Sequence, residues 1–236
     1  MSHWTSGLCF LLLASCSLPE PVLEAEPEVV KEVELTNCPS LEIEGGLKVT
    51  LHPQAERQAL ATYAAGTPQV LLVERGELTR LSLPTGKASL DLYCGCPDSL
   101  QVMSGAEVQI PAAGCRLSSV RAYGASSVTI SGTSSETLEL RVSGGARLEV
   151  VQMDVDRLSL QLGGQSETML HGVASSIDMD LAGSARLDAG KLRSQSAVVL
   201  LKGESWASVW VTAHLDQDIA ESSQLEVIGD PQLANR

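Results

Sequence analysis

A pair of apolar residues one position apart recurs every twenty residues along most of this chain, and that period limits what it can fold into. Leu100/Val102 and Val108/Ile110 form one unit, Val120/Ala122 and Val128/Ile130 the next, and Leu140/Val142 and Leu148/Val150 the third. The segments joining the two pairs of each unit are Ser104-Gly105-Ala106, Gly124-Ala125-Ser126 and Gly144-Gly145-Ala146. They are small enough for a sharp bend and for a positive φ. The series continues through Leu160/Leu162 with Thr168/Leu170, then Met179/Leu181 with Leu187/Ala189. After a slip of two residues it resumes at Leu201/Gly203 with Val209/Val211. Upstream, Leu81/Leu83 and Leu90/Leu92 read as an earlier and less regular unit.

Alternation over short segments marks strands with one buried face, and no helix-period stretch interrupts it. A strand-turn-strand unit cannot bury that face alone, so successive units must stack. The expected fold is all-β: a right-handed, single-stranded parallel β-helix, a solenoid with roughly 20-residue rungs, over residues 38–233. Aromatics make up 3% of the 236 residues while glycine numbers 20, which suits a thin aliphatic interior rather than an ordinary globular one. One outward column reads Glu107, Ser127, Arg147, Glu167, Arg186, Ser208, which places Glu167 between two arginines. Exposed pairs of this kind contribute about 0–1 kcal/mol each, so they are read as an aid to rung register and not as a ligand site.

Residues 5 to 16 hold an apolar run of signal-peptide length, too short to cross a bilayer as a helix. Its end, Leu13-Ala14-Ser15-Cys16, resembles the bacterial lipobox. That resemblance implies that residues 1–15 are a lipoprotein signal peptide and that Cys16 is the lipidated residue. Ser17 in place of Asp implies delivery to the outer membrane. The leader departs from the usual pattern in having no Lys or Arg, with only His3 and the terminal amine to carry positive charge. Residues 16–37 then read as the lipidated Cys and an acidic Pro-rich tether. Glu20, Glu24, Glu26, Glu28, Glu32 and Glu34 outnumber the single Lys31, and such a stretch cannot bury a core. The competing reading is a loosely attached first strand over Val29 to Val33.

Turns such as Val142-Ser143-Gly144-Gly145-Ala146-Arg147-Leu148 and Leu181-Ala182-Gly183-Ser184-Ala185-Arg186-Leu187 resemble those of the family called putative auto-transporter adhesin, head GIN domain. The closing pattern is similar too: Trp206-Ala207-Ser208-Val209-Trp210-Val211, followed by Leu225-Glu226-Val227-Ile228-Gly229-Asp230-Pro231. The resemblance covers roughly residues 41 to 233. It departs at the apolar opening Val70-Leu71-Leu72-Val73 and at the Cys-x-Cys of Cys94 and Cys96. It implies a parallel β-helix on exported, often lipid-anchored proteins with an adhesion role, and it brings no catalytic residues.

Apart from Cys9 and Cys16 in the leader, the cysteines are Cys38, Cys94, Cys96 and Cys115, an even number suited to an oxidising compartment. Cys96 and Cys115 are nineteen residues apart, about one rung, so stacking brings them within bridging distance and leaves Cys94 for Cys38. A four-thiolate metal site is an alternative without the usual Cys-x-x-Cys pairs, and free thiols are a third. Trp206 and Trp210 share an outward face, where an aromatic pair can stack on a cell-surface glycan or a protein, or else cover the end of the core beneath residues 214 to 219. Tyr123 is a further surface candidate. The acids Asp154/Asp156 and Asp178/Asp180 follow from alternation alone. A net charge of −13 disfavours nucleic acid and anionic membrane surfaces. His52, His171 and His214 lack metal-ligand spacing, and no cofactor or catalytic motif appears. The reading is a non-enzymatic, lipid-anchored envelope module for binding or structure. A polysaccharide-acting enzyme and a self-associating structural protein, oligomeric through a solenoid end, are the alternatives.

Overall fold

The twenty-residue period emerges as a stack of parallel strands. A computed structural model describes residues 29–35, 38–53, 58–63, 70–111 and 114–235. Among these there is no helix, and the chain forms a parallel β-solenoid of about 7 turns with roughly 20-residue rungs. The leader and Cys16 lie outside the described residues. In chain order the opening strands are β1 (Val29–Glu34), β2 (Ser40–Pro53), β3 (Gln58–Tyr63), β4 (Leu71–Arg75) and β5 (Leu78–Cys94). The middle of the stack is β6 (Ser99–Met103), β7 (Glu107–Ile110), β8 (Ser119–Gly124), β9 (Ser127–Ile130) and β10 (Thr133–Gly144). Next come the long strands β11 (Arg147–Leu162), β12 (Glu167–Leu181), β13 (Arg186–Leu201) and β14 (Trp206–Ile219). β15 (Gln224–Ile228) and β16 (Gln232–Asn235) close the stack.

Each full turn has three sides. Leu140 pairs with Leu160 on the first side and Leu148 with Thr168 on the second, as the apolar pairs predict. A third side carries Thr133, Met153, Gly172 and Leu192 in register, with Val155, Ala174, Ser194 and Val211 as its neighbouring column. Two apolar pairs per unit therefore understate the turn, because the third side is built partly from Thr, Gly and Ser. Its register shifts lie between Val150 and Met153, between Met169 and His171, between Ala189 and Arg193, and between Ser194 and Ser196. Turns thus gain or lose residues as they enter this side. These shifts correct the expected slip at the last long rung. Leu181 pairs with Leu201 and Ala189 with Val209, so the inward pairs are Val199/Leu201 and Ala207/Val209 rather than Leu201/Gly203 and Val209/Val211. Val211 is still fully buried, but on the third side.

The bend between the first and second sides is held by two columns of small residues. Ala106, Ser126, Ala146, Ser166, Ala185, Ser205 and Ser223 all point inward and are buried. Ser126 donates to the Val102 carbonyl at 3.2 Å and Ser223 to that of Gly203 at 2.9 Å, so these two hydroxyls are satisfied by backbone oxygens of an earlier turn. Ser205 donates to Ser223 at 3.3 Å, while the Ser166 hydroxyl has no partner among the described residues. Beside them Gly144, Gly164, Gly183 and Gly203 stack with φ between +70° and +78°. A Cβ on Gly203 would lie 2.8 Å from the Gly183 carbonyl oxygen, and one on Gly164 would lie 2.9 Å from that of Gly144. Glycine is required there twice over, by the left-handed backbone and by the turn beneath.

The opening of the stack departs from chain order. β2 lies between β5 and β6, pairing in parallel with both, so Leu41 and Ile43 face Leu100 and Val102. The Leu81/Leu83 unit expected next to that rung is instead one turn further out. The apolar alternation of β2 and β5 is equivalent, so periodicity alone cannot say which goes inside. β3 and β4 then run antiparallel along the outer edge of β5, and β1 runs antiparallel to β3. This antiparallel layer covers the edge that a parallel solenoid would leave open. It also revises the tether, since residues 29–34 are a strand rather than part of an extended linker. At the far end β15 and β16 continue the stack on β14, and Gly229 (φ +105°) sits where a Cβ would be 2.1 Å from the Val211 carbonyl oxygen.

Gly203→Ala is expected to destabilise the fold by at least about 1–3 kcal/mol, the cost of a strained backbone before any clash is counted. Gly95→Ala, at a site with open space and no positive φ, should change stability by less than about 0.5 kcal/mol. Urea denaturation midpoints for the two variants check this. Ile43→Ala should cost about 2–5 kcal/mol, as at any fully buried core position, because β2 is interior to the stack. An effect well below that range would contradict the observed strand order.

Candidate functional site

On the second side the outward positions form two columns. One runs Glu107, Ser127, Arg147, Glu167, Arg186, Trp206, Gln224, and the other Gln109, Thr129, Glu149, Met169, Asp188, Ser208, Glu226. The charged column anticipated from the sequence is therefore present with one change: Trp206, not Ser208, follows Arg186. The misplaced slip of two residues accounts for the difference. Arg147 donates to Glu167 from both Nε, at 3.1 Å, and Nη2. Both partners are exposed, so the pair contributes about 0–1 kcal/mol and mainly favours the observed register. Lys48 and Glu107 make a similar contact at 3.0 Å further up the stack.

Where Trp206 enters the column, the face is no longer flat. A depression of about 330 Å³ is lined by Arg147, Glu149, Glu167, Met169, Arg186, Asp188 and Trp206. Leu148 and Thr168 complete its lining. Trp206 is half-buried, and Met169, 40% exposed, is one of the few large apolar side chains facing solvent. Asp188 accepts a hydrogen bond from the Gly190 amide at 3.2 Å, which holds its carboxylate beside the cleft. An indole wall and a thioether are thus set among carboxylates and guanidinium groups on the face of a stacked sheet.

Trp210 is on the same strand but does not line this depression. It is also half-buried, and it lies alongside Gly229, with its Cδ1 3.5 Å from where a Cβ there would be. Tyr123 belongs to the first side, in register with Ser143, and does not join the tryptophans. On the same side, Glu139 accepts hydrogen bonds from Arg141 at 2.5 Å and from Arg121 at 3.5 Å. Asp178 and Asp180 line a shallow groove of about 320 Å³ on the first side, together with Asp216, Asp218, Ser159, Gln161 and Val198. Lys202 reaches Asp180 at 3.4 Å. Asp216 and Asp218 escaped the sequence reading because they enter this groove only through the shortened third side. Among the described residues no group of three or more His, Cys, Asp or Glu side chains is arranged to hold a metal ion.

Cys96 and Cys115 are disulfide-bonded across adjacent turns, with Cα atoms 5.3 Å apart. Two of the four sulfurs are thereby committed, and the alternative four-thiolate site does not form. Cys38 and Cys94 are both buried in the apolar interior as free thiols, so the second bridge expected from the sequence is not made in this structure. Their thiols are in hydrogen-bond contact, and that contact together with burial pushes the Cys94 thiol far above the ordinary thiol range. No helix among the described residues is long and apolar enough to cross a membrane.

Three solved structures share this architecture. A putative lipid binding protein from Parabacteroides distasonis is 12% identical, with a TM-score of 0.76 over 88% of this chain and 92% of that one. A putative adhesin from Parabacteroides merdae is 15% identical, with a TM-score of 0.72 over 89% of this chain and 96% of that one. A putative adhesin from Parabacteroides distasonis is 14% identical, with a TM-score of 0.76 over 89% of this chain and 93% of that one. At these identities the likeness is one of fold. No curated protein matches the chain. A family profile matches residues 97–231, starting after the irregular opening turns rather than near residue 41. The chain belongs to the family described as putative auto-transporter adhesin, head GIN domain.

Proposed function

We propose that this protein is a non-enzymatic binding module of the bacterial cell envelope, anchored through lipid on Cys16, which takes an uncharged saccharide in the depression beside Trp206. The observation that carries this reading is the combination of an indole wall, the Met169 thioether and flanking Glu149, Asp188 and Arg186 on one rigid sheet face. A pyranose ring offers an apolar C–H face that stacks on indole, and its vicinal hydroxyls match the fork geometry of carboxylate and guanidinium groups. A net charge of −13 repels anionic polymers and favours a neutral glycan. The family's adhesin name and the names of its structural neighbours are consistent with binding at a surface. Residues 17–28 serve as the tether in this reading, and the outer membrane is the destination that Ser17 favours.

A second reading, self-association through the last turn, draws on Ile228 and Leu233, which are 38% and 60% exposed there. Sedimentation velocity separates the two readings, because a saccharide-binding monomer should stay monomeric at micromolar concentration.

Trp206→Ala should weaken binding of wild-type-positive neutral glycans by about thirty-fold, corresponding to about 2 kcal/mol for loss of a central aromatic anchor. Tyr123→Ala should leave binding unchanged. A glycan array followed by calorimetry checks both, and a wild type that binds no neutral glycan ends the proposal. Cleaved glycan ends in the same incubation would favour the polysaccharide-acting enzyme instead. Cys16→Ala should move the protein from the membrane fraction to the soluble periplasmic fraction and abolish incorporation of labelled fatty acid.

A further inference from the structure

Cys38 lies two residues ahead of the start of β2, and Cys94 is the last residue of β5. Both segments are fixed by the backbone. The Pro39 carbonyl accepts hydrogen bonds from the amides of Asp98 at 2.8 Å and Ser99 at 3.1 Å, and Pro53 pairs with Cys94 in the β2–β5 register. Both are buried in the apolar interior, at 5% and 0% exposure, as free thiols within hydrogen-bond contact of each other. Buried thiols facing each other there have neither solvent nor a set of further ligands with which to bind metal. Two residues beyond Cys94, Cys96 is already bridged to Cys115, so the chain matures where thiols are oxidised.

We propose that Cys38 and Cys94 form a second disulfide, and that the two bridges together lock the strand order of the opening turns. β2 sits between β5 and β6, the one place among the described residues where the order of stacked turns departs from chain order. The inward columns of β2 and β5 share their alternation and differ where Thr79 and Ala88 pair with Leu41 and Leu47, so an alternative stack with β5 directly on β6 keeps the same inward pattern. A Cys38–Cys94 bond ties the entry of the inserted turn to the exit of the outermost one. The Cys96–Cys115 bond ties that exit to the next regular turn.

In the bridging step the two sulfurs bond to each other. Both hydrogens, as two protons and two electrons, pass to the disulfide of a thiol–disulfide oxidant, which becomes a dithiol. Attack on that oxidant needs an accessible thiolate, and both sulfurs are buried in the folded chain, so the bond forms while the opening turns are still docking.

The test is thiol mapping of the full chain, exported to a bacterial periplasm, quenched in acid, denatured without reductant, alkylated and digested. The expected result is that neither Cys38 nor Cys94 is alkylated and that they are recovered in one cross-linked peptide, separate from the Cys96–Cys115 peptide. Both should label after reduction. In Cys94→Ala, Cys38 should become alkylated without reduction while Cys96 and Cys115 remain blocked. The proposal is overturned if Cys38 and Cys94 label in the unreduced wild type, whether or not the other pair is blocked, or if Cys38 is recovered cross-linked to Cys96 or Cys115. It is equally overturned if Cys38 stays blocked in Cys94→Ala. None of these outcomes depends on whether a saccharide binds at Trp206.

Discussion

Parallel backbone hydrogen bonding between successive turns is the constraint on which the rest of this molecule depends. It sets equivalent residues about 4.8 Å apart and repeats every position down the stack. Each position in a turn therefore becomes a column whose members must tolerate copies of themselves above and below. Leu, Val and Ile satisfy that requirement in the interior, where Leu140 and Leu160 or Val128 and Leu148 meet face to face. Ala and Ser satisfy it at the tight bend, where a larger side chain would collide with its own equivalent. Glycine satisfies it beside them, because the backbone of one turn occupies the space that a Cβ of the next would need. On the outside like charges in neighbouring rungs would repel, and Arg147 instead meets Glu167.

The same constraint explains where variation is permitted. In the regular turns the shifts in register that lengthen or shorten a turn fall where the chain enters or crosses the third side, whereas the opening turn shifts at the bend between Gly45 and Leu47. The second side is left in step from Glu107 to Gln224, so its outer face is an even sheet on which a single departure stands out. Trp206 is that departure. It replaces a charged or small residue in its column and, with Met169 in the next, turns a flat ladder into a depression. A site of this kind needs no loop to position it, because the strands on either side already hold its walls.

Such an architecture also accounts for structural likeness at 12–15% identity. Columns demand a size and a polarity, not a particular residue, so many sequences fulfil them. The outward residues are free of the core's demands. Fold membership therefore passes through the interior columns, while exposed residues such as Trp206, Arg186 and Asp188 can vary without disturbing it.

Much of the fold was legible in the amino-acid sequence because its information is local and repeated. Alternation gave the strands, Gly144-Gly145 and its equivalents gave the bends, and the period gave the stacking. The candidate site was legible in part, since Trp206 and the Arg147/Glu167/Arg186 column follow from outward parity. Its composition was decided only by tertiary structure: Trp206 rather than Ser208 completes the column because turns change length on a side whose Thr, Gly and Ser residues carry no periodic apolar signal. Tertiary structure also brought Asp216 and Asp218 beside Asp178, and it separated Tyr123 from the tryptophans. The strand order of the opening turns was likewise beyond a local reading. β2 and β5 present equivalent apolar alternation, so their places depend on contacts between residues distant in the chain, where Cys38 meets Cys94 and β3 and β4 close the outer edge. Periodicity, a property of one turn, determined what each turn looks like. Which turn lies next to which is a property of the whole stack.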